Sequence, residues 1–111
     1  LDNFEIDITR WVNKAKGKLD AAPAAIVYAL LERLQELTPV VTGTLRAGWQ
    51  AIKDSDTRWS IVNNVVYAAR VNFGFVGQDS LGRTYDQRGH HMVEQVILEA
   101  PQIAQKAIDR L

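Results

Sequence analysis

Between Leu37 and Leu45 the apolar residues stop recurring every three or four positions and begin to alternate, so helix must give way to strand there. Before the change, Ile8, Trp11, Val12, Ala15, Leu19, Ile26, Leu30, Leu34 and Leu37 fall at spacings of three, four and seven. That pattern predicts helix from about Ile6 to Leu37. After it, Leu45, Ala47, Trp49 and Ala51 face one way and Thr44, Arg46 and Gln50 the other, which predicts a strand over 44–52. The joint is Thr38-Pro39-Val40-Val41-Thr42-Gly43. Thr38-Pro39 stops the helix, because a proline disfavours helical geometry in the residue before it. Thr42-Gly43 then turns the chain.

Pro23 interrupts the first helical stretch, and an interior proline costs a helix about 3 kcal/mol. If Asp20 caps a second helix, Pro23 falls in its first turn, where its missing N–H has no partner to lose. With Gly17 loosening the junction, the stretch is either kinked or split near 17–23. Beyond the first strand, Lys53-Asp54-Ser55-Asp56-Thr57 reads as a turn and 58–65 as the returning strand. A five-residue loop at 53–57 pairs Ala51 with Trp59 and Trp49 with Ile61, which puts both tryptophans on one face. Residues 67–74 suit a short helical turn ended by Gly74, or a third strand at Val71-Asn72-Phe73. Residues 74–89, with four glycines and with Phe75, Val76, Leu81 and Tyr85, form an extended arm carrying apolar surface. Loops of that length in a compact domain are usually functional or disordered.

From His90 to Leu111 the stripe Val93, Val96, Ile97, Ala100, Ile103, Ala104, Ala107, Ile108, Leu111 predicts a closing helix packed on the sheet, bent at Pro101. The expected whole is one α+β domain over 1–111, its helices on one face of a small antiparallel sheet.

Thirteen basic residues balance thirteen acidic ones, which counts against a dedicated duplex binder, since phosphate neutralisation supplies most non-specific affinity. There is no cysteine, so disulfides and thiolate metal sites are excluded. No apolar run reaches the roughly 20 residues of a membrane span, and residues 1–5 do not read as a secretory signal. Leu1 stands where an initiator methionine would, so the expectation is that the initiator or a few leading residues have been lost, and that the protein is soluble and made in the cytoplasm.

Candidate chemistry is sparse. His90-His91 with Asp86 and Glu94 is the one cluster of metal-ligand types, but adjacent histidines diverge on a helix and no third ligand has diagnostic spacing. A capping or solvated role is preferred. Ser55, Ser60 and Ser80 sit in no nucleophile context, Gly74-Phe75-Val76-Gly77 fits no dinucleotide fingerprint, and Thr42-Gly43-Thr44 lacks the lysine of a phosphate loop. No catalytic, cofactor or metal residue is assigned. Arg46, Arg58, Arg70, Arg83 and Arg88 with Tyr67, Phe73, Phe75 and Tyr85 read either as a nucleic-acid surface or as a protein interface. The zero net charge favours the interface.

The segment Thr38-Pro39-Val40-x-Thr42-Gly43-x-Leu45-Arg46-x-x-Trp49, followed by Asn63-x-x-x-Tyr67-Ala68 and then Gly74, resembles the neck and tail-completion (minor tail, or tail-component) family of long-tailed bacteriophages. The likeness spans most of the chain in order. Val41 and Asn72 depart from it, standing where acidic residues are common. The resemblance implies a non-enzymatic virion subunit in an oligomeric ring, a hexamer, at the head–tail junction. It would be made in the bacterial host cytoplasm. Its partners would be connector or head-completion proteins and the tail terminator or tail tube, with DNA only as passing cargo and no membrane. On this reading Phe73, Phe75, Leu81, Arg83 and Tyr85 of the arm are expected inter-subunit contacts, and Thr42, Gly43, Leu45 and Arg46 are weaker ones. The alternative is a small nucleic-acid-binding module using residues 67–88.

Overall fold

A computed structural model describes residues 4–14, 21–40, 43–55, 58–78 and 80–111, with the side chain of Tyr85 left out. The fold is α+β. In chain order it runs β1 (Phe4–Asp7), α1 (Thr9–Asn13), α2 (Ala22–Leu37), α3 (Thr44–Ala47), β2 (Trp49–Ser55), β3 (Arg58–Asn63), α4 (Ala68–Phe73), β4 (Gly74–Gln78), β5 (Thr84–Arg88) and α5 (Met92–Asp109). Two antiparallel sheets result: β1-β3-β2, and the isolated pair β4-β5.

The N-terminal helical stretch is split, as its sequence allows. Pro23 lies in the first turn of α2, where no backbone bond is lost; Gly17 and the cap expected of Asp20 lie outside the described residues. The first residues depart from the expected helix. Phe4–Asp7 form an edge strand on β3, with Ile6 opposite Ile61. Phe4, Ile6 and Ile8 alternate, but Ile8 also begins the helical spacing with Trp11 and Val12, and that overlap hides the strand. Ile8, Trp11 and Val12 are all buried.

At the joint, Thr38 caps α2 with its N–H bonded to the carbonyls of Leu34 and Gln35. The strand expected from Thr44 instead starts at Trp49, because Thr44–Ala47 wind one helical turn. Gly43, at φ +81°, begins that turn, and Ala47 N–H closes it on the Gly43 carbonyl at 3.0 Å. Leu45 and Trp49 are four apart, a spacing that fits a helical turn as well as a strand.

The β2-β3 hairpin is present with its register moved by two residues from that expected: Trp49 opposes Asn63, Ala51 opposes Ile61 and Lys53 opposes Trp59. An even shift preserves faces, so both tryptophans still share one side. The irregularity between Lys53 and Ser55 shortens the connection, which includes residues 56–57 outside the described set.

Ile26, Leu30 and Leu34 of α2 are fully buried, each contributing about 1.5–3 kcal/mol. They are joined in one core by Ile61, Trp49 and the α5 residues Met92, Val96, Ala100 and Ala104. The C-terminal helix lies chiefly on α2, and α2 covers β2, so α5 reaches the sheet through α2 rather than resting on it directly. Pro101 sits inside an unbroken α5.

Arg33 of α2 clamps Glu99 of α5 with two bonds, Nε to Oε1 at 2.7 Å and Nη2 to Oε2 at 3.1 Å. The Arg33 hydrogen bonds hold the Glu99 carboxyl below its ordinary value of 4.5. A depressed carboxyl stabilises the fold above its ordinary pKa and loses that contribution as pH falls through the folded value. Glu99→Gln should therefore lower the melting midpoint at pH 7, with the deficit closing below about pH 4. A deficit of the same size at pH 3 and pH 7 would contradict this.

Candidate interaction surface

The expected arm is the β4-β5 hairpin, registered Gly74 to Arg88, Phe75 to Gln87, Val76 to Asp86, Gly77 to Tyr85 and Gln78 to Thr84. Its chief neighbour is α4. The chain measures 55 × 24 × 21 Å with a radius of gyration of 15.7 Å, against about 13 Å for a compact domain of this length. A lone two-stranded hairpin is marginal in water, so it needs packing or a partner to hold it.

Two devices fix the hairpin's root. Gly74, at φ +88°, ends α4, and a Cβ there would lie 2.6 Å from the Gln87 carbonyl oxygen; one on Gly89 would lie 2.4 Å from the Asn72 carbonyl oxygen. The two passes of chain thus meet backbone to backbone. Beside them, His90 N–H donates to the Val71 carbonyl at 2.8 Å and His91 N–H to that of Asn72 at 2.9 Å.

The second device is Asn72, fully buried. Its Oδ1 accepts from Val93 N–H at 2.9 Å, and its Nδ2 donates to Glu94 Oε1 at 2.6 Å, so it caps the start of α5 from the end of α4. His91, in left-handed geometry at φ +48°, closes its ring nitrogen Nδ1 on Glu94 Oε2. Burial works to raise the Glu94 carboxyl, but the Asn72 and His91 bonds outweigh it and hold the group low. The backbone cap of α5 therefore comes from Asn72, while His91, at the N-cap position, makes no side-chain bond to the helix backbone. No cluster of three metal-ligand side chains occurs among the described residues. Sequence reading missed Asn72 because only the tertiary fold brings residues 72 and 93 together.

The arm residues occupy different settings. Phe73 is 58% exposed, its ring edge-on to Phe4 at 5.6 Å. Phe75 is half-buried, its ring lying over Gly77 and under the Arg70 guanidinium at 4.0 Å. Leu81 at the tip is 75% exposed, as is Val76 at 76%, and Arg83 is exposed before β5. Tyr85 is described in its backbone alone, opposite Gly77.

The weaker group is different in kind. Leu45 is a core residue and Gly43 a turn. Arg46 donates from Nη2 to the Thr38 carbonyl at 3.1 Å while its buried Nε has no partner among the described residues; Thr42 lies outside them. No family model, curated protein or solved structure matches the chain.

Proposed function

We propose that this chain is a non-enzymatic structural subunit of a phage virion that forms an oligomeric ring at the head–tail junction and joins the connector to the tail. The observation that carries the reading is the arm. Val76, Leu81 and Phe73 expose apolar surface on and beside a hairpin whose chief intramolecular neighbour is one short helix. Large exposed apolar groups on a projecting hairpin mark an interaction site. A ring requires one heterologous contact repeated around an axis, and a projecting hairpin seated on the adjacent subunit supplies it. The sequence elements at 38–49 and 63–74 support the choice of assembly, and with it hexameric copy number, connector and head-completion proteins on one side and terminator or tube on the other. DNA is passing cargo.

Deleting residues 75–87 tests this. Gly74 and Arg88 face each other across the ladder, so the ends can be rejoined with little shift of the core. Light scattering after size-exclusion chromatography should give a ring for the full chain and a monomer for the deletion, with unchanged far-ultraviolet circular dichroism. A deletion variant that assembles like the full chain would refute the role given to the arm.

A further inference from the structure

The arm root carries a second feature that the apolar tip does not explain. A cleft there is lined by Pro39, Arg70, Val71, Gln87, Arg88 and His90. It contains two arginines, one histidine and, among the described residues, no carboxylate, with Pro39 and Val71 supplying apolar lining. Arg70 spends the face of its guanidinium on the Phe75 ring, which leaves its N–H edge for an acceptor. The Arg88 side chain makes no hydrogen bond or ion pair among the described residues, and the residue opposite it is Gly74, which has no side chain to cover it. Asp86 shares its face of β5 but pairs with neither arginine among the described residues.

The complementary charge stands on another element of the same chain. Tyr28, Glu32 and Glu36 fall at intervals of four on α2, one face of the helix, with the two carboxylates about 6 Å apart along its axis. Tyr28 is 65% exposed, and the Glu32 side chain has no ion pair or hydrogen bond among the described residues. Among the described residues Glu36 reaches only Arg33, at 3.6 Å. Glu32 and Arg88 are thus opposite charges on separate elements, each side chain without a partner among the described residues.

We infer that the arm-root cleft is a carboxylate-recognition site that takes the Tyr28–Glu32–Glu36 stripe of α2 from a second copy of this chain. The inference rests on the ring reading and names its electrostatic contact. Two guanidinium forks match two carboxylates, and the Tyr28 ring is an amphipathic surface suited to the Pro39–Val71 lining. Because the two patches differ, each subunit offers both, and the contact propagates head to tail as a ring demands.

Arg88→Glu and Glu32→Lys test it in the full-length chain by sedimentation equilibrium, with the melting midpoint as a check on folding. Each variant alone should self-associate at least about tenfold more weakly than wild type, since like charges then meet across the contact. An equimolar mixture should recover assembly, because each reversed cleft finds a reversed stripe. A wild type that assembles while the variants assemble equally well, or a mixture that gains nothing, overturns the cleft assignment alone. Intact assembly by Arg88→Glu with lost binding of a labelled single-stranded oligonucleotide makes the cleft a phosphate site and also overturns it. A wild type that stays monomeric throughout overturns this inference and the ring reading together.

Discussion

Trp49→Ala should lower the unfolding free energy by about 3–5 kcal/mol, a large part of the 5–15 kcal/mol typical of a small domain. Trp49 is 3% exposed at the point where the joint meets the sheet. Its indole N–H donates to Thr38 Oγ1 at 2.9 Å, and that hydroxyl donates in turn to the Leu34 carbonyl at 2.7 Å. The ring therefore fills the core and ties the end of α2 to the start of β2. Trp49→Phe separates the two contributions: it keeps most of the apolar volume and loses the hydrogen bond, at about 1 kcal/mol beyond the volume lost. Urea titration measures both. A loss under 1 kcal/mol for Trp49→Ala would show that the joint is not a structural centre.

That joint was legible in sequence because its signals are local. Thr38-Pro39 must end a helix and Gly43 can take a positive φ, whatever the rest of the chain does. What lies on either side was less legible, for physical reasons. Leu45 and Trp49 satisfy both periods and are buried, as either a strand or a helical turn would have them, so the pattern alone does not separate the two. The hairpin register needed the irregularity at Asp54, which no residue type announces. β1 is one edge strand of four residues whose alternation merges into α1.

The arm was visible as an apolar, glycine-rich stretch, yet its pairing into β4 and β5 and its Gly74–Gly89 crossing depend on contacts across fifteen residues. Arg70 and Arg88 were visible as members of an arginine–aromatic set. Their convergence with His90 on one cleft, away from the apolar tip, was not. Phe73 and Phe75, grouped together by sequence, part company: Phe73 leans on Phe4 and Phe75 lies beneath Arg70.

The least legible element, Asn72, should also give the most diagnostic variant. Asn72→Asp keeps an acceptor for Val93 N–H but sets a second carboxylate against Glu94 where the amide now donates at 2.6 Å. Two carboxyls at that range cannot both ionise cheaply, so the pair must titrate with one raised pKa. A raised carboxyl contributes stability that is present below its ordinary pKa and is lost as pH rises through the folded value. Wild-type Glu94 behaves oppositely: its carboxyl is held low, and its contribution is lost as pH falls. The deficit of Asn72→Asp against wild type should thus be small near pH 4 and grow to roughly 2–4 kcal/mol at pH 7, with solvent at half-exposed Glu94 keeping it toward the lower figure. Asn72→Ala, which adds no charge, should show its deficit at both pH values, since Val93 N–H is left without its acceptor in each. Equal pH dependence in the two variants would sink the argument. With Glu94 across from it, the buried position at the arm root needs a donor and an acceptor, and a carboxylate supplies only the second.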